Sequence, residues 1–445
     1  MNTVKVRFPP SPTGYCHVGT ARMAVVNFLF ARKHGGTIVF RSEDTDRERS
    51  KKEYEDDILE SLAWLGLSWD EFYRQTERTQ VYAAALIKLI DEDKAYLSEE
   101  ESKKEPGVMT QVVRLRNPGK VITFTDVLRG DITFDTTELG DFVIARSLSD
   151  PLYHLAVVID DGDMGITHVI RGEDHISNTP RQILIQEALG YARPVYAHYP
   201  LHLAADRSKL SKRKGDVAVR SYREKGYLPE ALLNYLAHLG WTPPSGRELM
   251  SLADMIAEFE LTDIHKSGAV FDIEKLRWYN REYLLALSPD LFDTMCIREL
   301  SARLQAAEPT ILKRLVPHVK ERISVWSDLD ELIAEGEFVY AAERPQLDPT
   351  RIPDKKSDAA TAHTHLTHIN EALATLPEDS DTDAVKAALW DYATEKGRGA
   401  VLWPMRYALS GRDRSLDPFA LTAVLGIAEA RARIQNALSV LDYSV

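Results

Sequence analysis

The chain has 445 residues, which is too long for one hydrophobic core, so we expect two to four domains. Its formal net charge of −13 excludes a protein that attracts nucleic acid through overall charge, and any RNA-binding surface must be locally basic. Two distant cysteines, Cys16 and Cys296, argue against a disulfide framework or a thiolate zinc site and fit a reducing compartment.

The first predicted strand covers residues 4–8, where apolar and polar residues alternate. Residues 9–14 end it, because proline fixes φ and has no backbone N–H. A helix is predicted directly afterwards, and the glycines at residues 35–36 end it. His17 and Gly19 therefore lie at its start, where free N–H groups and the positive helix end suit a phosphate. Taken alone, an isolated His-x-Gly is more typical of a proline-rich βα loop with a capping histidine than of a phosphate site.

The next elements alternate between strand and helix. Residues 37–41 read as a buried strand, and Ser50 and Glu53 predict a capping box at the start of the following helix. Another helix is predicted over residues 79–94. This βαβα order indicates the beginning of a parallel sheet.

The pattern changes after residue 96. Residues 98–107 are charged and predict a loop or a short helix. Four short alternating runs follow and predict the hairpins of a small α+β insertion. They cover residues 111–116, 121–124, 131–134 and 141–145.

Two later stretches carry charged groups in patterns that suit a nucleotide site. An apolar run ends in Arg171 and Asp174, and open α/β sheets bind ligands at the carboxyl ends of their strands. Residues 209–215 place lysines three apart around a serine, as in a cationic loop that closes over a polyphosphate. A charge run of this kind is also the usual composition of a solvated surface loop.

The remainder of the chain is predicted to be largely helical. One helix is expected from Thr179 to Gly190, and another begins at Pro229 and ends at Gly240. Beyond residue 320 helices dominate. His363, His365 and His368 lack a cysteine or close carboxylate to complete a metal site, so we interpret them as surface histidines.

Together these motifs resemble those of the glutamyl-tRNA synthetases, which are class I aminoacyl-tRNA synthetases. Residues 17–20, His-Val-Gly-Thr, resemble the family's "HIGH" motif, and residues 209–213, Lys-Leu-Ser-Lys-Arg, resemble its "KMSKS" motif. Residues 10–14, 43–47 and 165–175 are also similar to that family. The match covers the first ~95 residues and about residues 122 to 245, and it returns near the C-terminus.

The resemblance implies an α/β fold in which an α+β insertion splits a Rossmann-type parallel nucleotide-binding domain. Helical stem-contact and all-α anticodon-binding domains are expected to follow. The implied boundaries are 1–95 and 151–245 for the catalytic halves, 96–150 for the acceptor-end-binding insertion, 246–320 for the stem-contact domain and 321–445 for the anticodon-binding domain. Some members carry a zinc-binding cysteine cluster in the insertion, and no structural zinc is expected here.

The implied activity is that of a glutamate–tRNA ligase. Such an enzyme activates L-glutamate with ATP to glutamyl-adenylate, releases pyrophosphate and transfers glutamate to the 3′-terminal adenosine of tRNA(Glu) in protein biosynthesis. Mg²⁺ is expected on the ATP rather than in a metal site of the protein. The first strand starts almost at Met1, which leaves no room for a signal peptide, and no apolar run could span a bilayer. We therefore expect a cytoplasmic protein that does not bind a membrane. The family suggests a monomer.

The resemblance also implies which residues form the site. The expected catalytic residues are His17, Lys209 and Lys212. The expected ATP-binding residues are Pro10, Ser11, Thr13, Gly14, His17, Gly19, Thr20, Asp174, His175, Lys209, Leu210, Ser211, Lys212 and Arg213. The expected amino-acid-binding residues are Arg7, Pro9, Ser11, Glu43, Tyr153 and Arg171. A planar guanidinium pairs with both oxygens of a carboxylate, which suits Arg7 and Arg171 to glutamate.

Several alternatives compete with this interpretation. Glutaminyl-tRNA synthetases usually have Glu-Pro-Asn-Gly where this chain has Ser-Pro-Thr-Gly at residues 11–14, and the tRNA-queuosine glutamylating paralogues lack the C-terminal half. A catalytically idle tRNA-binding or regulatory descendant remains the main alternative, although intact His17, Lys212 and Arg171 argue against it. The sequence leaves open whether tRNA(Gln) is charged as well as tRNA(Glu).

Overall fold

The computed structural model describes residues 3–101, 107–203 and 218–442. The predicted ligand residues Lys209, Leu210, Ser211, Lys212 and Arg213 lie outside these ranges. The chain divides into two compact units, Met1–Asn280 and Arg281–Val445. Within the described ranges, no helix combines the length and apolar character needed to cross a membrane.

The first unit contains both strands and helices. Its strands are β1 (Lys5–Phe8), β2 (Thr37–Ser42), β3 (Glu71–Arg74), β4 (Ala95–Glu101), β5 (Met109–Leu115), β6 (Val121–Asp126), β7 (Gly130–Asp135), β8 (Phe142–Ser147), β9 (Asp150–Pro151), β10 (His168–Gly172), β11 (Val195–Tyr199), β12 (His202–Leu203) and β13 (Ala269–Val270). Its helices are α1 (Val18–Lys33), α2 (Lys52–Trp64), α3 (Thr79–Asp91), α4 (Tyr153–Asp163), α5 (Thr179–Leu189), α6 (Val219–Glu224), α7 (Pro229–His238) and α8 (Leu252–Glu258). Helix α9 (Ile273–Ala286) crosses the boundary between the units.

Parallel strands form the centre of the first unit, which confirms the predicted α/β fold. β1, β2 and β3 pair in parallel in that order, and β10 pairs in parallel with β11. The backbone N–H of Thr167 donates to the carbonyl of Lys5 at 2.9 Å, so β10 begins beside β1. The middle of β2 is wholly buried, as expected for a parallel strand covered on both faces.

The predicted hairpins are present, but they divide between two sheets. β4, β5, β8 and β9 form one antiparallel sheet, whereas β6 and β7 extend the row of β10 and β11. The contact runs through Tyr196 of β11, which is paired with Asp126 of β6. The β6–β7 hairpin therefore continues the central sheet.

Two local predictions for the first unit are wrong. Residues 98–101 belong to strand β4 and not to a loop or helix, because pairing with β5, including the ion pair from Arg114 to Glu100, outweighs the low strand propensity of glutamate. The expected capping box is not formed: α2 has Lys51 as its N-cap, and the buried Ser50 hydroxyl finds no hydrogen-bond partner in the described part of the chain. Lys51 donates its backbone N–H to Pro12, which moves the helix start one residue onward.

The second unit is helical in its described part, as predicted. Its helices are α10 (Pro289–Arg303), α11 (Pro309–Arg322), α12 (Asp328–Ala334), α13 (Ala359–Leu373), α14 (Thr382–Lys396), α15 (Arg398–Ser410), α16 (Pro418–Leu425) and α17 (Ile427–Asp442). The interpretation of His365 as a surface residue is wrong, because it is buried and contacts the Tyr392 hydroxyl at 2.9 Å. His368 stacks on the same ring at 3.7 Å, which explains this pair of histidines by packing.

Candidate active site

A cavity of about 450 Å³ opens where β1 and β10 end and α1 begins. Most of the predicted site residues line it, although segments more than a hundred positions apart supply them. These residues are Arg7, Pro9, Pro10, Ser11, His17, Gly19, Thr20, Glu43, Tyr153, Arg171, Asp174 and His175. The parallel topology thus brings the N-terminal loop and the loop after β10 to one edge of the sheet.

A larger cavity of about 940 Å³ adjoins the first one. Ser11, Glu43 and Tyr153 line both cavities, so the two spaces meet at these side chains. Thr13, a predicted ATP-binding residue, lines only the larger cavity, and Gly14 lines neither.

His17 forms the N-cap of α1 and has extended backbone angles, φ −83° and ψ 147°. Its Nδ1 accepts the backbone N–H of Gly19 at 3.0 Å, so the proton of the neutral ring lies on Nε2. The imidazole therefore satisfies a free donor of the first helical turn, and its Nε2 carries the ring proton at the edge of the cavity.

Residues 218–219, which follow the basic segment in the sequence, are hydrogen-bonded to the loop that contains His17. Ala218 pairs with His17, and the backbone N–H of Val219 donates to Cys16 at 2.9 Å. Ala218 therefore lies beside the predicted catalytic histidine.

Ion pairs among buried side chains lie beneath the cavity. Arg41 donates from Nη1 to Asp161 at 2.7 Å and from Nη2 to Glu43 at 3.0 Å. Arg7 donates from Nε to the same oxygen of Asp161 at 3.3 Å. The acids and arginines come from β1, β2, the loop after β2 and α4, so these contacts join four segments of the fold.

The pKa values of the two carboxylates shift in opposite directions, because burial and the arginine charges balance differently at each. Burial raises the pKa of Glu43 despite the opposing charge of Arg41. Burial also acts to raise the pKa of Asp161, but the charges of Arg7 and Arg41 outweigh it and hold that pKa below its usual range. Asp161 is thus the more firmly ionised acid of the two.

Two nitrogens of the Arg171 guanidinium are held by hydrogen bonds to neighbouring side chains. Nε donates to His198 Nε2 at 3.0 Å, and Nη2 donates to the Thr179 hydroxyl at 2.8 Å. Among the residues that the structure describes, neither Nη1 of Arg171 nor Nη1 of Arg7 has a hydrogen-bond partner, and both atoms are buried. Because leaving a buried donor unpaired is costly, two such donors on cavity-lining arginines suit the oxygens of an anionic ligand.

The outer wall of the cavity carries neutral polar groups. The Tyr153 hydroxyl contacts His175 Nδ1 at 3.3 Å, and Asn178 contacts the same nitrogen at 3.1 Å. Burial, followed by the charge of Arg171, lowers the pKa of His175 to about 4. His175 is therefore neutral near pH 7 and adds a polar contact without a second positive charge.

The sequence pattern missed Arg41 and Asp161, which organise the base of the site. A signal was available, because residues 155–159 form an apolar run that ends in two adjacent acids. Charged residues that continue a buried segment need partners, and arginines of neighbouring strands are the natural ones. Tyr199 and Met23 also line the cavity without having been predicted.

Comparisons with known proteins agree over almost the whole chain. Residues 3–106 and 97–278 match the family described as "tRNA synthetases class I (E and Q), catalytic domain", and residues 283–438 match "Anticodon binding domain". A glutamate–tRNA ligase from Aquifex aeolicus (strain VF5) is 39% identical over 481 residues, covering 99% of this chain and 100% of that protein. A glutamate–tRNA ligase from Carboxydothermus hydrogenoformans is 39% identical and covers 97% of this chain and 99% of its own length.

A solved structure is similar as well. The crystal structure of a glutamate tRNA ligase from Elizabethkingia meningosepticum CCUG26117, in complex with its amino acid, superimposes with a TM-score of 0.87 at 29% identity. The alignment covers 99% of this chain and 100% of that one. The likeness therefore extends to the complete fold and is not limited to the nucleotide-binding sheet.

Proposed function

This chain belongs to the glutamyl-tRNA synthetase family of class I aminoacyl-tRNA synthetases, and we propose that it catalyses the attachment of L-glutamate to tRNA(Glu). In the first step the glutamate α-carboxylate attacks the α-phosphorus of ATP. The bond between the α-phosphorus and the bridging oxygen breaks, which releases pyrophosphate and leaves glutamyl-adenylate. In the second step the 3′-terminal adenosine of the tRNA takes the glutamyl group and AMP leaves.

The observation that carries this proposal is the pair of unpartnered donors on Arg7 and Arg171. Both arginines line the smaller cavity, and the side-chain carboxylate of glutamate offers oxygens to their guanidinium groups. The side-chain amide of glutamine has no negative charge to pair with the arginines, and its NH2 group would face their N–H donors. A mismatch of this kind at a buried charge costs about 2–5 kcal/mol. The site is therefore suited to glutamate over glutamine.

The adenylation step requires no general base, since the attacking carboxylate is already an anion. It requires alignment of the reacting atoms and compensation of charge that builds up on the α-phosphate. The Nε2–H of His17, at the positive end of α1, is suited to that charge. We assign the same task to Lys209 and Lys212 from the sequence pattern, with Mg²⁺ carried by ATP.

We assign the larger cavity to the 3′ end of the tRNA. It meets the smaller one at Ser11, Glu43 and Tyr153, so a nucleotide placed there reaches the adenylate. Arg47 and Arg146 lie among its lining residues and suit a phosphate backbone.

The finer organisation is also part of the proposal. We assign residues 96–150 to acceptor-end binding, 246–320 to stem contact and 321–445 to anticodon binding, on the family pattern. A cytoplasmic monomer follows from the same pattern.

Exchange of labelled pyrophosphate into ATP tests the function directly. The full chain is assayed with glutamate or glutamine, each with and without purified tRNA(Glu). Exchange that depends on glutamate, followed by charging of tRNA(Glu), is the expected result. Folded protein that binds tRNA but exchanges with neither amino acid contradicts the proposal and identifies an idle descendant. Charging of purified tRNA(Gln) then decides how many tRNAs are accepted.

A further inference from the structure

Three buried side chains on neighbouring strands form a continuous row that ends at the cavity. Arg171 of β10 and His198 of β11 are paired across the parallel strands, and Arg171 Nε lies 3.0 Å from His198 Nε2. His198 Nδ1 lies 2.7 Å from Oδ2 of Asp126, which ends β6. Asp126 and His198 are fully buried and are not among the residues that line the smaller cavity.

The hydrogen bonds fix the ring of His198 in one tautomer. The Nε of an arginine can only donate, so His198 Nε2 must accept and cannot carry a proton. The ring proton therefore lies on Nδ1 and is donated to Asp126. Burial lowers the pKa of His198 in spite of the hydrogen bond to Asp126, in agreement with a neutral ring.

Asp126 is itself held from several directions. Its Oδ1 accepts the backbone N–H groups of Leu128 at 3.0 Å and Arg129 at 3.1 Å, and its Oδ2 accepts the backbone N–H of His198 at 3.0 Å. These bonds join the turn of the β6–β7 hairpin to β11. The carboxylate is thus rigidly placed, and it orients the histidine that meets Arg171.

We propose that Asp126 and His198 are positioning residues that hold the Arg171 guanidinium in place at the cavity wall, and thereby set the affinity for the amino-acid carboxylate. The proposal rests on the assignment of Arg171 to glutamate under the proposed function. It makes the hairpin at residues 121–135 part of the amino-acid site, although this hairpin was predicted within the insertion. His198 acts through Arg171 and has no contact with substrate in this scheme.

Two substitutions of His198 distinguish its hydrogen bond to Arg171 from its hydrogen bond to Asp126. In His198→Gln, the amide oxygen reaches the place of Nε2 and can accept from Arg171. In His198→Asn, the shorter amide keeps a donor toward Asp126 but leaves Arg171 Nε without an acceptor. Loss of an acceptor for a charged donor predicts that H198N raises the glutamate KM about 10-fold or more, whereas H198Q restores it to within about 3-fold of wild type.

The assay is pyrophosphate exchange by the full chain in the presence of tRNA, with KM measured separately for glutamate and for ATP. The ATP KM is expected to stay within about twofold in both variants, since Arg171 meets the amino acid. Equal glutamate KM values in H198N and H198Q, or an equal rise in the ATP KM, would overturn the proposal and indicate a purely structural role.

A second variant covers the case in which H198N fails to fold. Asp126→Asn places an amide against the histidine and favours the opposite tautomer, whose Nε2–H faces the Arg171 donor. D126N is therefore expected to raise the glutamate KM and leave the ATP KM unchanged, and an unchanged glutamate KM contradicts the inference. Absence of glutamate-dependent exchange in the wild type contradicts the proposed function itself, which keeps the two failures distinct.

Discussion

Arg41 Nη1 donates to Asp161 Oδ1 at 2.7 Å, and the side chains of this ion pair are 0% and 7% exposed. The other terminal nitrogen of Arg41 holds Glu43, so one guanidinium serves two acids beneath the cavity. Arg41 lines neither of the two cavities, so it can affect a bound substrate only through the carboxylates that it holds. Its contribution is therefore expected in folding stability and in the placement of Glu43.

Arg41→Leu is expected to destabilise the first unit by about 3–5 kcal/mol, because it leaves a buried carboxylate without its cation. Arg41→Lys keeps the charge but cannot contact both acids in a fork, so its loss is expected to be smaller. Urea unfolding followed by tryptophan fluorescence measures both. An unfolding midpoint of R41L equal to that of the wild type would contradict this account.

Arg171→Ala is expected to raise the glutamate KM steeply, since it removes one of two cavity-lining arginines whose Nη1 has no partner within the described ranges. A loss of about 2–5 kcal/mol corresponds to roughly 30-fold or more. Pyrophosphate exchange over a glutamate series measures it. The control is Arg298→Ala, which removes an exposed arginine paired with Glu299 in the second unit. An unchanged glutamate KM in R171A would contradict the assignment of Arg171 to the glutamate carboxylate.

His17→Asn separates capping from chemistry. Asparagine is a good N-cap and can accept the Gly19 N–H, but it lacks the outward N–H of Nε2. H17N is expected to unfold at the wild-type urea concentration and still lose about 100-fold in single-turnover adenylate formation. His17→Ala is expected to lose a similar rate and, in addition, about 1 kcal/mol of stability. A wild-type rate in H17N would show that the histidine only caps the helix.

Lys212→Ala tests a prediction that lies outside the described residues. The sequence motif assigns this lysine to the charge on the α-phosphate, so its loss is expected to cost about 100-fold in rate. Folding stability should hardly change. Rapid-quench measurement of adenylate formation, with a urea unfolding curve beside it, gives both quantities. Wild-type adenylate formation in K212A refutes the assignment.

His154 predicts how stability depends on pH. Burial, followed by the charges of Arg181 and Arg171, lowers its pKa to about 4, and its buried Nδ1 has no partner among the residues described. The unfolded chain binds the proton near pH 6.5, so this contribution is present above that pH and is lost as pH falls toward 4. Between pH 7 and 5 the wild type should lose about 1–2 kcal/mol more than His154→Gln.

Urea unfolding at the two pH values measures this difference. His363→Gln, at a half-exposed histidine of the second unit paired with Asp442, is the control and should follow the wild type. Parallel losses of stability in the wild type and H154Q would contradict a buried neutral His154.

The elements that could be predicted are those with a strong local signal. β1, β2, α1, α5 and α7 follow from periodicity, proline and glycine, and Gly190 ends α5 with a left-handed φ of +76°. Strand β4 was missed because its acids are unfavourable in isolation and are stabilised by Arg114 of the next strand. Ser50 was misread because the backbone of the next residue bonds to a loop distant in the sequence. In both cases tertiary partners outweighed a local preference.

The sequence by itself determined the parallel α/β framework, the helical C-terminal half and the types of residue that surround the ligand. These properties depend on short-range periodicity and on motifs, which are readable in one dimension. Only the tertiary structure decided that Arg41 joins Asp161 to Glu43, that His198 and Asp126 support Arg171, and that His365 packs inside a helical unit. The free energy of a buried polar group depends on partners from distant segments, and their arrival at one place is a property of the folded chain.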